Sequence, residues 1–217
     1  MRLKLPLYII NFKTYPKASG KNAVKLAKIC RKVAARKKAS VLAAVQTGDI
    51  YEVAKTGIRT IAQHVDAAEP GRNTGFVLAE DVKDNGAIGT LLNHSEHKLK
   101  FDVLKKTIKA CRENRLVVVA CASTPEEAEK IAKLKPDYIA IEPPELIAGK
   151  ISVSEAKPQV ITNTLKKVKK IPVLCGAGIH TREDVKKAFE LGARGILIAS
   201  GVVLAKNREK ELNELVI

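Results

Sequence analysis

The chain has few aromatic side chains. Its 217 residues include four tyrosines, four phenylalanines and no tryptophan. Proteins that bind single-stranded nucleic acid stack the bases on aromatic rings that alternate with basic residues. The scarcity of rings therefore argues against a base-stacking surface, and we expect no specific nucleic-acid partner.

The chain also has only four cysteines, and their spacing is uninformative for metal binding. They form no CxxC pair and no cluster with histidine, so a zinc site or a disulfide framework is not expected. Free cysteine is usually a buried residue. We interpret the four as reduced core residues, at positions 30, 111, 121 and 175.

Long apolar runs are missing as well. No run approaches the roughly 20 residues that a membrane-spanning helix needs, and the start, MRLKLPLYIINFK, lacks the small-residue cleavage site of a signal peptide. We therefore expect no membrane association and a cytoplasmic location. The 46% hydrophobic content is sufficient for a substantial core.

Basic residues, by contrast, are abundant, and the formal net charge is +16. Lysines on the solvent faces of helices are the simplest explanation. A positive field would nevertheless attract a phosphorylated metabolite or allow loose binding to nucleic acid. Charge alone does not choose between these ligands.

Eight short apolar runs alternate with helical patterns along the chain. The runs are continuous rather than alternating, as expected for parallel strands that are covered on both faces. They occupy residues 7–11, 41–45, 60–63, 89–93, 116–121, 138–142, 173–178 and 195–200.

Helical spacing separates these runs. The first helix has one apolar face. Thr124 and Thr181 are placed to cap the starts of later helices, and Asp184 completes the capping arrangement of Thr181. A weak short helix follows the second run, and a final helix is predicted over 207–216. The first apolar face consists of Ala23, Leu26, Ala27, Cys30, Val33 and Ala34.

Repeated βα units predict an α/β fold: an eight-stranded parallel (β/α)8 TIM barrel that forms a single domain over 1–217. No linker rich in proline, glycine or serine divides the chain. An open doubly wound sheet is the alternative. It is disfavoured because the segment after the first strand, INFKTYPKASG, lacks the GxGxxG pattern of dinucleotide-binding proteins.

The carboxyl ends of the strands carry the candidate site, because active sites of such barrels gather there. Each residue alone has an ordinary explanation: a solvated lysine, a structural histidine, a glycine that lets a strand pass into a helix. A functional site is favoured because all of these residues lie at the same end of the predicted barrel. The strand ends carry Asn11 and Lys13, Asn93 and His94, Glu142, Gly176-Ala177-Gly178, and Ala199-Ser200-Gly201.

These residue types suggest two functions for the site, phosphate binding and proton transfer. The glycine-bearing turns after strands seven and eight can direct backbone N–H groups at a phosphate. Glu142 offers a carboxylate base, His94 a hydrogen-bond donor, and Lys13 a positive charge. Together they suit proton abstraction next to a carbonyl, with stabilisation of the resulting enediolate. We expect no metal and no cofactor.

Three motifs resemble the triosephosphate isomerase family, in its short archaeal form: NFKTY, LLNHSE and AIEPPELI. Further similar segments, such as LCGAGIHTREDV and LGARGILIASGVV, extend the resemblance from about residue 7 to 206. The resemblance implies interconversion of dihydroxyacetone phosphate and glyceraldehyde 3-phosphate in glycolysis and gluconeogenesis. In this family a glutamate base works with a neutral histidine.

Roles can be carried over residue by residue. The resemblance implies that Glu142 shuttles the proton, His94 polarises the substrate oxygens, and Asn11 and Lys13 hold the substrate. It also implies that Glu96 supports Lys13 and His94; a carboxylate at a helix start is the alternative explanation.

The resemblance further implies that the loop bearing Ile147 and Ala148 closes over the phosphate, with Ala148 donating its backbone N–H. The family forms homodimers, and its archaeal members form homotetramers. Gln63 and Thr74 match positions at the dimer contact.

Three residues depart from the family pattern. Ala148 replaces a glycine of the closing loop, His97 an arginine, and Leu204 a lysine, which we expect to matter only at the surface. Two other functions remain open at this stage. One is a phosphate-binding barrel of amino-acid or cofactor biosynthesis, and the other is an inactive basic barrel that binds nucleic acid.

Overall fold

The computed structural model describes residues 3–143 and 158–217. Eight parallel strands pair in sequence order and form a closed barrel, as predicted. Every predicted apolar run overlaps one strand. The strands are β1 (Leu7–Asn11), β2 (Ser40–Val45), β3 (Arg59–Ala62), β4 (Gly89–Leu92), β5 (Val117–Ala122), β6 (Tyr138–Ile141), β7 (Val173–Cys175) and β8 (Gly195–Ile198).

Helices surround the barrel, and in the described ranges none of them has the length and apolar character needed to cross a membrane. Short 3-10 turns lie at Pro16–Ala18 and Thr47–Asp49. The helices are α1 (Lys21–Lys37), α2 (Ile50–Ala54), α3 (Ala79–Asp84), α4 (Phe101–Glu113), α5 (Pro125–Ala132), α6 (Pro158–Val168), α7 (Arg182–Glu190), α8 (Ser200–Val203) and α9 (Arg208–Leu215).

The barrel closes where β1 meets β8. Leu7 is in register with Ser40 of β2 on one side and with Gly195 of β8 on the other. A Cβ atom on residue 195 would lie 2.4 Å from the Leu7 carbonyl oxygen. Glycine at this position therefore permits the close backbone approach that completes the barrel.

Two apolar layers hold the structure together. The interior layer fills the barrel with side chains such as Leu42, Leu91 and Leu174. The outer layer lies between strands and helices. Burial on both faces explains why the strands are continuous apolar runs. All four cysteines are buried and free, as predicted.

The predicted helix starts are present. The Thr124 hydroxyl accepts a hydrogen bond from the Glu127 backbone N–H at 3.1 Å. Thr181 and Asp184 form a reciprocal capping box at the start of α7. Satisfying these amides fixes where each helix begins after its strand, which determines the path of the loops at the carboxyl end of the barrel.

Candidate active site

One pocket at the carboxyl end of the barrel contains most of the predicted site residues. It encloses about 60 Å³. The predicted residues Ile147 and Ala148 lie outside the described residues. The sequence-predicted residues that line the pocket are Asn11, Lys13, His94, Glu142, Gly176, Ala177, Gly178, Ala199, Ser200 and Gly201.

Glu142 follows β6, and its backbone N–H donates to the Ala122 carbonyl of β5 at 2.7 Å. Its side chain is only 3% exposed, and its Oε2 has no hydrogen-bond partner among the described residues. Burial raises the pKa of this carboxyl to about 7, against opposing effects of the Cys121 thiol and Lys13. A carboxylate held in this way is more basic than an exposed glutamate.

Gly176 allows Glu142 to lie where it does. A Cβ atom on residue 176 would be 2.5 Å from the Cγ of Glu142 and 3.1 Å from the Ile141 carbonyl oxygen. Any larger residue would displace either the backbone or the carboxylate. Gly176 therefore does more than line the phosphate pocket, because it provides the wall against which the base packs.

His94 faces Glu142, with its Nε2 atom 3.4 Å from Oε1 of the carboxylate. The Glu96 backbone N–H donates to Nδ1 at 3.2 Å, so in the neutral ring the proton is on Nε2 and points into the pocket. Burial lowers the pKa of His94 to about 4, and Lys13 acts in the same direction while Glu96 opposes it. The imidazole is therefore neutral near pH 7.

Lys13 is held at three points. Its backbone has a positive φ of 48°, its N–H donates to Asn11 Oδ1 at 3.0 Å, and its carbonyl accepts from Gln63 Nε2 at 3.1 Å. The ammonium group lies 2.6 Å from Glu96 Oε1. Glu96 is in a turn rather than a helix, so its contacts agree with a supporting position beside Lys13 and His94.

A polar network at the tip of β4 is absent from the sequence-based prediction. Asn93, at φ 58°, donates from Nδ2 to the Cys121 carbonyl at 2.9 Å and to Glu127 Oε1 at 2.8 Å. Its Oδ1 accepts from the Leu99 N–H, and Lys98 pairs with Glu127 at 2.9 Å. The network fixes the strand tip that carries His94. In the sequence, Glu127 is recognisable only as a helix-start carboxylate.

The turn after β7 differs from the expected arrangement. Helix α7 begins at Arg182, and the N–H groups of His180 and Thr181 already donate to Asp184. These amides are therefore taken up by the cap of their own helix. The second turn places Ser200 and Gly201 in the pocket wall at the start of α8.

A second chamber of about 360 Å³ adjoins the pocket and shares Asn11, Lys13, Tyr15 and His94 with it. Glu96 lines the second chamber. His97, which replaces the family arginine, stacks on His64 in this chamber with ring centroids 4.1 Å apart. Leu204 is exposed, as expected. Thr74 is also exposed, in the segment between β3 and α3.

Comparison with known proteins identifies the family. The profile of the family "Triosephosphate isomerase" matches residues 6–216. The chain belongs to the triosephosphate isomerase family. Triosephosphate isomerase of Methanothermus fervidus is 45% identical over 97% of each chain. That of Archaeoglobus fulgidus is 44% identical over 98% of each chain.

A solved structure supports the fold independently. The crystal structure of triosephosphate isomerase from Bartonella henselae superposes with a TM-score of 0.71, at 17% identity, over 91% of this chain and 93% of the other. The predictions of the triosephosphate isomerase family, its archaeal form, the barrel and the isomerase class are thereby confirmed. A barrel of amino-acid or cofactor biosynthesis is no longer an open alternative.

Proposed function

We propose that the chain interconverts dihydroxyacetone phosphate and glyceraldehyde 3-phosphate, with Glu142 as the base. The observation that carries the proposal is the arrangement of Glu142, His94 and Lys13 in one pocket, where the carboxylate lies 3.4 Å from the imidazole. Burial lowers the pKa of His94 to about 4, so the imidazole is neutral near pH 7, and raises the pKa of Glu142 to about 7, so the carboxylate is ionised above that pH. Family membership supplies the substrate class.

In the forward reaction, ionised Glu142 removes a proton from C1 of dihydroxyacetone phosphate. The electron pair forms a C1–C2 double bond, and negative charge develops on the oxygen of C2. His94 donates a hydrogen bond from Nε2 to the substrate oxygens, and the Lys13 ammonium group lowers the energy of the charged intermediate. Glu142 then returns a proton to C2, while the hydroxyl proton on C1 passes to the oxygen of C2.

The phosphate group is proposed to bind at the other side of the pocket. The proposed donors are the backbone amides of Ala177, Gly178 and the turn Ala199–Gly201, and Asn11 lines the same pocket. Gly176 also lines the pocket, but its own N–H donates to the Ile141 carbonyl at 3.0 Å. The proposal also includes Ile147 and Ala148, whose loop would cover the substrate and exclude water. These assignments rest on the family resemblance and on the shape of the pocket.

Loss of the base tests the proposal. In a coupled assay with glyceraldehyde 3-phosphate, we expect Glu142→Gln to reduce kcat by about 10³-fold, since general base catalysis typically contributes about 10²–10⁴-fold. Glu183→Gln is the matched control, because Glu183 is exposed on α7. Activity of the Glu142 variant within tenfold of the parent chain would contradict the assignment.

Other expectations from the family also remain proposals. We propose that the chain forms homodimers or homotetramers and acts in the cytoplasm, in glycolysis and gluconeogenesis. The exposed ring of Phe76, in the same segment as Thr74, is consistent with burial by a second copy. Light scattering coupled to size-exclusion chromatography measures the assembly, and a mass of one chain would contradict self-association.

A further inference from the structure

Basic side chains concentrate in two joined grooves on the outside of the barrel, away from the catalytic pocket. The larger groove has a volume of about 670 Å³ and lies between α4 and the turn that follows α5. The smaller one shares Ile108, Arg112 and Lys135 with it. We call the seven cationic residues of both grooves the basic band: Lys105, Lys106, Lys109, Arg112, Arg115, Lys133 and Lys135.

Most of the charge in the basic band is not neutralised. In the described ranges, Lys109 is the one member with an ion pair, at 3.5 Å from Glu113. Arg112 donates to the carbonyl oxygens of Leu134 and Lys135, which orients its guanidinium without cancelling the charge. The carboxylates that line the grooves are Asp102 and Asp137. The surface therefore has a clear excess of positive charge.

Backbone conformation provides a second, independent observation. In the part of the chain that the structure describes, seven turns lead from a helix into a strand with one residue at positive φ, a conformation that favours glycine. Three of them do use glycine, but two members of the basic band occupy equivalent positions with φ of 56° each. The glycines are Gly57, Gly86 and Gly192, and the basic residues are Lys38, Arg115, Lys135 and Lys169.

Helix dipoles alone do not account for these residues. A cation in the last turn already interacts favourably with the helix carboxyl end, and Arg112 supplies one in α4. Arg115 adds a further positive charge beyond the end of α4. Because its backbone is left-handed, this charge comes with backbone strain that glycine would avoid. Because each such turn precedes a parallel strand, these cations share the amino-terminal end of the barrel, opposite the catalytic pocket.

We propose that the basic band binds the phosphate backbone of duplex nucleic acid without reading its sequence. The grooves are open and bordered by flexible lysines, and none of their lining residues is aromatic, so they offer no base-stacking platform. Their seven cationic residues outnumber the five apolar ones, whereas the core of a protein interface is depleted of charged residues. The phosphates of a duplex follow one another at regular spacing, and they can therefore contact the unpaired cations that are spaced along α4.

Binding of a labelled duplex DNA of about 20 base pairs, followed by fluorescence anisotropy, tests the proposal. The band variant combines Lys105→Gln, Lys106→Gln, Arg115→Gly and Lys135→Gly; glycine suits the positive φ at the last two positions. The control variant removes the same charge from exposed lysines elsewhere. It combines Lys21→Gln, Lys25→Gln, Lys28→Gln and Lys206→Gln.

We expect the parent chain to bind at about 50 mM salt and to weaken steeply as salt increases. The band variant should lose at least about tenfold in affinity, and the slope of log affinity against log salt should decrease by about 3. The control variant should change less than about twofold, and isomerase turnover should be the same in all three proteins. Equal losses in both variants, or no binding by the parent chain, would overturn the proposal.

Discussion

At the scale of single residues, burial shifts the pKa values of Glu142 and His94 in opposite directions. Removing a carboxyl group and an imidazole from water disfavours the charged form of each. The pKa of Glu142 therefore increases to about 7 and that of His94 decreases to about 4. Above pH 7 the pocket contains an ionised carboxylate beside a neutral imidazole, which is the combination that the proposed reaction requires.

This account predicts the titration of the free enzyme. We expect the Glu142 carboxyl to lose its proton with a midpoint near 7, because burial raises the pKa from its ordinary value of 4.5. Carbon-13 NMR of labelled glutamate measures the midpoint without substrate, and the spectrum of Glu142→Gln identifies the resonance. Turnover should decrease as pH falls through the same range. A midpoint near 4.5 would show that burial does not control this group.

A second prediction concerns the contact between Gly176 and Glu142. We expect Gly176→Ala to reduce kcat by about 10²-fold, because the new Cβ displaces the base and small misplacements at a reacting centre are costly. Gly48→Ala is a control for loss of glycine, since a Cβ there meets no atom within 4 Å and the backbone of Gly48 is not at positive φ. Steady-state kinetics distinguish the outcomes. Unchanged kcat in the Gly176 variant would mean that the carboxylate adjusts without loss.

At the scale of secondary-structure elements, caps determine where helices begin around the site. The Thr181 hydroxyl accepts from the Asp184 N–H, and the Asp184 carboxylate accepts from the Thr181 N–H at 2.8 Å. The same turn carries Gly178, which lines the catalytic pocket. Stability of α7 and the position of the phosphate turn are therefore coupled through this cap.

Removal of the cap should be measurable in the free energy of unfolding. We expect Thr181→Ala to lower it by about 1 kcal/mol, because one helix amide loses its partner. Urea unfolding followed by circular dichroism measures the change. Thr181→Ser keeps the hydroxyl and should lie close to the parent chain. Equal losses in both variants would assign the effect to the threonine methyl group rather than to the cap.

The elements also show how far the sequence predicts structure. Continuous apolar runs located all eight strands, but the seventh run extends to Gly178 whereas β7 ends at Cys175. The positive φ of Gly178 bends the chain out of the sheet, and composition does not reveal this. The positive φ of Lys13 is likewise unexpected, since non-glycine residues seldom adopt it.

At the scale of the whole molecule, barrel closure brings distant residues together. Lys13, His94 and Glu142 come from the ends of β1, β4 and β6 and meet in one pocket. This convergence was predictable from the sequence, because the carboxyl ends of all strands in such a barrel lie at the same end of the molecule. The contact between Asn93 and Glu127 was not predictable, because it depends on the position of α5 against the tip of β4, 34 residues away in sequence.

Proton transfer through Glu142 is the central claim, and isotope exchange tests it most directly. Dihydroxyacetone phosphate is converted in D₂O, and NMR detects deuterium at C2 of glyceraldehyde 3-phosphate. We predict that the parent chain incorporates deuterium, because the proton resides on an exchangeable carboxyl group during the reaction, and that Glu142→Gln forms product and exchanges deuterium about 10³-fold more slowly. Conversion by the parent chain without any deuterium at C2, or exchange by Glu142→Gln within tenfold of the parent rate, would contradict the account.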